Sequence, residues 1–124
     1  MDDLVEQIKE SGLKSVDETR KLANEIELEH EKVNFPGIFL RDMPQGYNGR
    51  KKLAEELKKK GHKEAAKHYS YAADICKKCS LKVIGLEEEA IGKMDKEELS
   101  KVVVKVLREI ADEEERAIKM LLNN

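Results

Sequence analysis

Residues 62–91, HKEAAKHYSYAADICKKCSLKVIGLEEEAI, decide the fold. Within them Ala65, Tyr69, Ala72, Cys76, Cys79, Val83, Leu86 and Ala90 recur at alternating spacings of four and three. That period marks one face of an α-helix; a strand would repeat every second residue. Ala66, Ala73 and Ser80 widen the face with small groups, so a neighbouring helix can approach closely. The pattern predicts one long helix from about His62 to Ile91. Gly85 weakens it by about 1 kcal/mol relative to alanine, and Gly92 ends it.

Working outward, Leu53, Ala54 and Leu57 carry the same period upstream, and Gly61 offers the left-handed residue on which helices commonly stop. Downstream, Asp95 and Glu98 are spaced as a capping box. Leu99, Val102, Val103, Val106, Leu107, Ile110, Ala111, Ala117, Ile118 and Leu121 then give the last helix a broad apolar face. Near the start, Leu4, Val5 and Ile8 predict a short helix over 3–10, stopped at Ser11-Gly12. Ser15 and Glu18 predict a second capping box, opening a helix that runs through Val16, Thr19, Leu22, Ala23, Ile26 and His30 to about Val33.

Residues 34–49, NFPGIFLRDMPQGYNG, hold both prolines, both phenylalanines and three of the seven glycines. Proline has no amide to give a helix and restrains the residue before it, so an irregular path is expected here. The segment is nonetheless too apolar for a solvent linker. Phe35 and Ile38 are expected to anchor it to the core, leaving Phe39, Leu40, Arg41, Met43 and Tyr47 for a partner. The fold expectation is all-α: an antiparallel four-helix-like bundle with a short extra N-terminal helix and an ordered aromatic loop. Short turns between long helices favour antiparallel neighbours. Residues 1–124 are expected to form a single domain.

Composition bounds the alternatives. With 124 residues, 40% apolar and 40% charged, the chain has about fifty apolar side chains, which recur periodically; disorder is excluded. No run of eighteen apolar residues offers a membrane span. The opening MDDLVEQIKE is acidic and has no apolar signal core, which makes a cytoplasmic location the expectation. Charge is segmental. Residues 1–40 carry 5 basic and 10 acidic side chains, residues 41–84 carry 12 and 5, and residues 85–124 carry 7 and 11. A basic middle between acidic flanks suits neighbours that pair their charges, or a positive surface for an anionic partner.

Reactive motifs are incomplete. Cys76-Lys-Lys-Cys79 places two thiols on one helix face, with His68 nearby in the helical projection and His30 expected inward on another helix. Zinc accepts such thiolate and imidazole ligands, so His30, His68, Cys76 and Cys79 form an alternative metal set. The thiols also fill the apolar seam, where they act as small hydrophobes. Glu27 and His30 form a single E-x-x-H, whereas carboxylate-bridged bundles need two. Glu109-Ile-Ala-Asp112 resembles half of the magnesium motif of all-helical nucleotide pyrophosphohydrolases, but the chain has no E-x-x-E to complete it. The acidic run 112–115 therefore reads as a solvated face. No G-x-S-x-G or glycine-rich phosphate loop occurs.

In residues 53–78, Gly61 followed by Ala65, Tyr69 and Ala72 resembles the second half of a tetratricopeptide repeat. No second copy follows, and the earlier helix lacks the tryptophan, the Leu-Gly pair and the first tyrosine of that pattern. It reads as an independent helical hairpin. Lys51 and Lys52 follow the aromatic segment, and Lys58, Lys59, Lys60, Lys63 and Lys67 surround the hairpin turn. The functional expectation is a non-catalytic interaction or accessory protein, more a binder than an enzyme. It would contact a macromolecule through Phe39, Leu40, Arg41, Met43, Tyr47, Lys51 and Lys52 and the basic hairpin. The partner is a protein, with a homodimer as one form of it. A second reading has the hairpin lysines neutralising a nucleic-acid backbone, and a third is a metal-binding protein or metal-dependent enzyme, with zinc the candidate ion. No other cofactor and no membrane partner is expected.

Overall fold

The computed structural model describes residues 3–123 and is helical throughout, with no strand among the described residues. Four long helices, α1 (Asp3–Leu28), α3 (Met43–Lys59), α4 (Lys63–Leu81) and α6 (Lys96–Leu122), are joined by shorter pieces. These are a 3-10 turn (His30–Lys32), α2 (Phe35–Gly37), a π-helical turn (Ile38–Asp42) and α5 (Glu88–Gly92). The long helices pack in a row: α3 against α4, α4 against α6, α6 against α1. Among the described residues no helix is long and apolar enough to cross a membrane.

Three sequence expectations are corrected. The N-terminal segment is one continuous helix, with no break at Ser11-Gly12. Gly12 lies against α6, where a Cβ would stand 2.7 Å from Ile118 Cδ1; it is there for close approach, not termination. Ser15 lies inside this helix and so opens none, and the hydroxyls of Ser11 and Thr19 donate to the carbonyls one turn back, Gln7 and Ser15.

The expected aromatic loop is helical too. Asn34 caps α2, its side chain accepting from the Gly37 amide at 3.2 Å, and Pro36 sits in the first turn, where a missing amide is harmless. The π-helical turn follows, with the Met43 amide reaching back to the Ile38 carbonyl. This wider turn accommodates Pro44, which has no amide to return to residue 40 and whose ring would crowd that carbonyl.

The helix expected from His62 to Ile91 stops at Leu81. Gly85 adopts φ +81°, a left-handed conformation that breaks the helix instead of merely weakening it. Val83 stays buried, but Leu86 and Ala90, which continue the seam in sequence, are exposed. The turns at Gly61, with φ +89°, and at Asp95 agree with expectation; the Asp95 carboxylate accepts from the Glu97 and Glu98 amides at 2.9 and 3.4 Å.

The core has two halves. One joins the outer turns of α1, α3, α4 and α6 through Val5, Ile8, Val16, Leu57, Tyr69, Ile118 and Leu121. The other is filled by Phe35, Phe39, Met43, Cys76, Cys79, Val83, Ile91 and Val103, drawing on the short elements as well as the long ones.

Candidate functional site

A belt of charge crosses the long helices near the junction of the two core halves. It starts from α6, whose residues 112–116 read Asp-Glu-Glu-Glu-Arg. Successive helical residues are 100° apart, so a run of carboxylates fans out toward several neighbours. Arg20 of α1 binds Asp112 at 2.9 Å and Glu115 at 3.0 Å. Glu115 and then Asp112 hold its guanidinium above the ordinary arginine value, and Arg20 in turn lowers the Glu115 carboxyl. His68 Nδ1 of α4 lies 2.7 Å from Glu113, which also takes Arg116 at 2.8 Å. Arg50 of α3 places Nη2 2.7 Å from Glu114. The solvated acidic face expected for 112–115 is instead tied to three helices.

Arg50 also donates to the Gly46 carbonyl at 3.3 Å and to Cys76 Sγ at 3.8 Å. A Cβ at Gly46 would stand 2.8 Å from Arg50 Nη1 and 3.3 Å from that sulfur, so glycine is what admits both. Burial raises the Cys76 thiol against the opposing pull of Arg50, and burial pushes the Cys79 thiol up to about 11. Both cysteines are free and buried in the core.

The four candidate metal ligands are not assembled. His30 lies in the 3-10 turn rather than on an inward helical face, and His68 is committed to Glu113. Among the described residues no group of three or more His, Cys, Asp or Glu side chains is placed to hold a metal ion.

The expected partner residues divide. Phe39 and Met43, expected on the surface, lie in the core at 1% and 4% exposure, because the helical path through 35–43 turns them inward. Leu40 is 44% exposed and Arg41 is exposed, its Nε held by Asp42 at 2.9 Å and its pKa raised by that contact. The Tyr47 ring carries two ammonium groups, Lys51 and Lys77, each 5.5 Å from its centre. Lys52, Lys58, Lys59, Lys60, Lys63 and Lys67 are all exposed.

A groove of about 520 Å3 runs between α3 and α4. Its floor is the buried Ala54 and Ala66, and Ser70, Tyr71, Lys51, Lys58, Lys63 and Lys67 line it with Glu55 and Glu64. His68 meets Tyr71 edge to face at 5.9 Å, joining the groove wall to the belt. A second groove, of about 480 Å3, lies on the other side of α4 against α6. Its lysines 101 and 105 belong to a segment that is acidic in total, so a charge count by segment conceals them. The belt has one signal in the sequence: Glu114 falls between Ile110 and Ala117, where the seam of α6 calls for an apolar residue.

Comparison with protein families, with curated proteins and with solved structures finds no match for this chain.

Proposed function

We propose that this protein is a non-catalytic interaction protein whose α3–α4 groove receives an acidic helical segment of a partner protein. Its four long helices are read as an antiparallel four-helix-like bundle forming one domain over residues 1–124. The observation that carries the functional reading is the groove itself: four lysines surround a floor of small apolar side chains between two parallel ridges. Small floor residues let a third helix come close, while ammonium groups along the rim reward carboxylates flanking its apolar stripe. Tyr47, with Lys51 and Lys77 over its ring, extends the same basic strip along the helix pair.

Glu55 and Glu64 on the rim favour a protein over a nucleic acid. A phosphate track is served by an uninterrupted row of cations, whereas a helix carrying a few basic residues among its acids meets both signs. The test is fluorescence anisotropy at 50 and 200 mM salt with two probes: an acidic amphipathic helical peptide with a leucine stripe, and a 20-nucleotide single strand. The peptide is expected to bind, and the double substitution Lys58→Glu, Lys67→Glu to weaken it at least tenfold with unchanged helical content. Tighter binding of the oligonucleotide, or indifference of the peptide to the charge reversal, overturns the reading.

A further inference from the structure

We propose that two copies of this chain join about a two-fold axis, each inserting the acidic, apolar turn after α4 into the α4–α6 groove of the other. The groove is floored by Ile75, Val102 and Val106 and rimmed by Lys78, Lys82, Lys101 and Lys105, with Glu109 the one carboxylate lining it. Among the described residues only Lys101 of these four makes an ion pair, a 3.8 Å contact with Glu98 in which both side chains are mostly exposed. The groove is thus an apolar trough with a net positive rim.

The turn that follows has the opposite character. Leu81, Ile84 and Leu86 are exposed within six residues, Ile84 at 74%. Single exposed leucines are ordinary, but a cluster of them marks a contact surface. Glu87 and Glu88 come next, exposed and without an ion pair among the described residues. Gly85, at φ +81°, fixes the reversal that presents these side chains.

Trough and turn are also neighbours, since Lys82 rims one and begins the other. A patch containing a basic trough beside an acidic, apolar projection is complementary to itself. Closed two-fold association satisfies such a patch twice, because each copy supplies both parts. That self-complementarity selects a second copy over a foreign partner. The chain also exposes 7,852 Å2, against about 6,800 Å2 anticipated from its mass, so it has surface to cover. None of the residues involved lines the α3–α4 groove, so this inference stands apart from the proposed function.

Sedimentation equilibrium from 1 to 200 μM, at 50 and 500 mM salt, is the test. The parent protein is expected to dimerise, at least tenfold more weakly at high salt. Lys78→Glu with Lys105→Glu, and separately Glu87→Lys with Glu88→Lys, are each expected to give monomers with unchanged circular dichroism. Mixed in equal amounts, the two variants regain complementary charge in both contacts and form a heterodimer, visible by native mass. A parent that stays monomeric, a dimer insensitive to both reversals, or a mixture that fails to pair overturns the proposal.

Discussion

The two halves of the core are built by different means. Beside the Gly61 turn, regular helices meet through small side chains: Ala54, Ala65, Ala66, Ala111 and Ala117 surround Leu57 and Tyr69. Long-range periodicity does the work there, and each helix is continuous. The other half is filled largely from outside the period, by Phe35, Phe39 and Met43 on α2, the π turn and the start of α3, and by Ile91 on α5. Close-packed interiors permit either solution, provided the volume is filled. The consequence lies in vulnerability: one half depends on backbones approaching, the other on a few large side chains.

The largest expected effect breaks the second half. Phe39→Ala removes a ring that is 1% exposed and has short elements around it, so the loss is about 3–5 kcal/mol. Leu40→Ala, one residue on but 44% exposed, is expected to change stability by less than about 1 kcal/mol. Denaturant titration of both variants is the check. Equal effects would mean that the turn does not direct Phe39 inward, and the contrast between the halves would fail.

The periodic half and the irregular one were also unequally legible in the sequence. The seam Ala65–Val83 and the face of α6 could be read because a 3.6-residue repeat reports burial directly. The 34–49 segment could not. Its prolines and glycines are helix-ending signals locally, yet Asn34 capping and a π turn absorb both prolines without leaving the helical path. Gly12 and Gly85 show the same limit. One glycine answers to a side chain more than a hundred residues away and the other to its own φ, and nothing in their immediate neighbours distinguishes the two. The basic hairpin was legible as lysines around a turn; the α4–α6 groove was not, since its rim is assembled from two distant segments.

A second test sharpens the comparison through pH, because the irregular half contains both thiols. An unfolded cysteine loses its proton near its ordinary value of 9.0, whereas folded Cys79 holds it to about 11. Between these values the unfolded state binds fewer protons, so stability falls as pH rises, and it levels off above the folded value. A shift of that size corresponds to about 2–3 kcal/mol. Burial moves the Cys76 thiol and the Tyr69 phenol in the same direction. Urea midpoints measured from pH 8 to 11 are expected to decline, and Cys79→Ala to flatten the decline. A parent protein with a level profile would show that the thiol is not held in an apolar site.

The smallest effect concerns the belt, which runs close to where one half gives way to the other. On α1 and α3 its residue lies between the two core groups, Arg20 between Val16 and Ala23 and Arg50 between Met43 and Ala54; on α4 and α6 it stands just inside the group beside the Gly61 turn, His68 next to Tyr69 and residues 112–115 between Ala111 and Ala117. An apolar residue at Glu114 would bury as well, but it would not discriminate among neighbours. A carboxylate there accepts Arg50 from α3 and disfavours any sliding of α6 that parts them, so the pair is expected to help hold helix register. The Arg50 and Glu114 side chains are 25% and 16% exposed, between a surface pair worth under about 1 kcal/mol and a buried one whose disruption costs about 3–5. Glu114→Ala is therefore expected to cost about 1–2 kcal/mol, leaving Arg50 without its carboxylate. Replacing both, Arg50→Met with Glu114→Leu, is expected to recover most of that stability, since no charge is then left unpaired. The same double variant should lose register specificity, seen as broadened amide resonances along α6 at unchanged helical content. A double variant as unstable as Glu114→Ala, or one with sharp native-like spectra, would show that the belt does not set the alignment of the two halves.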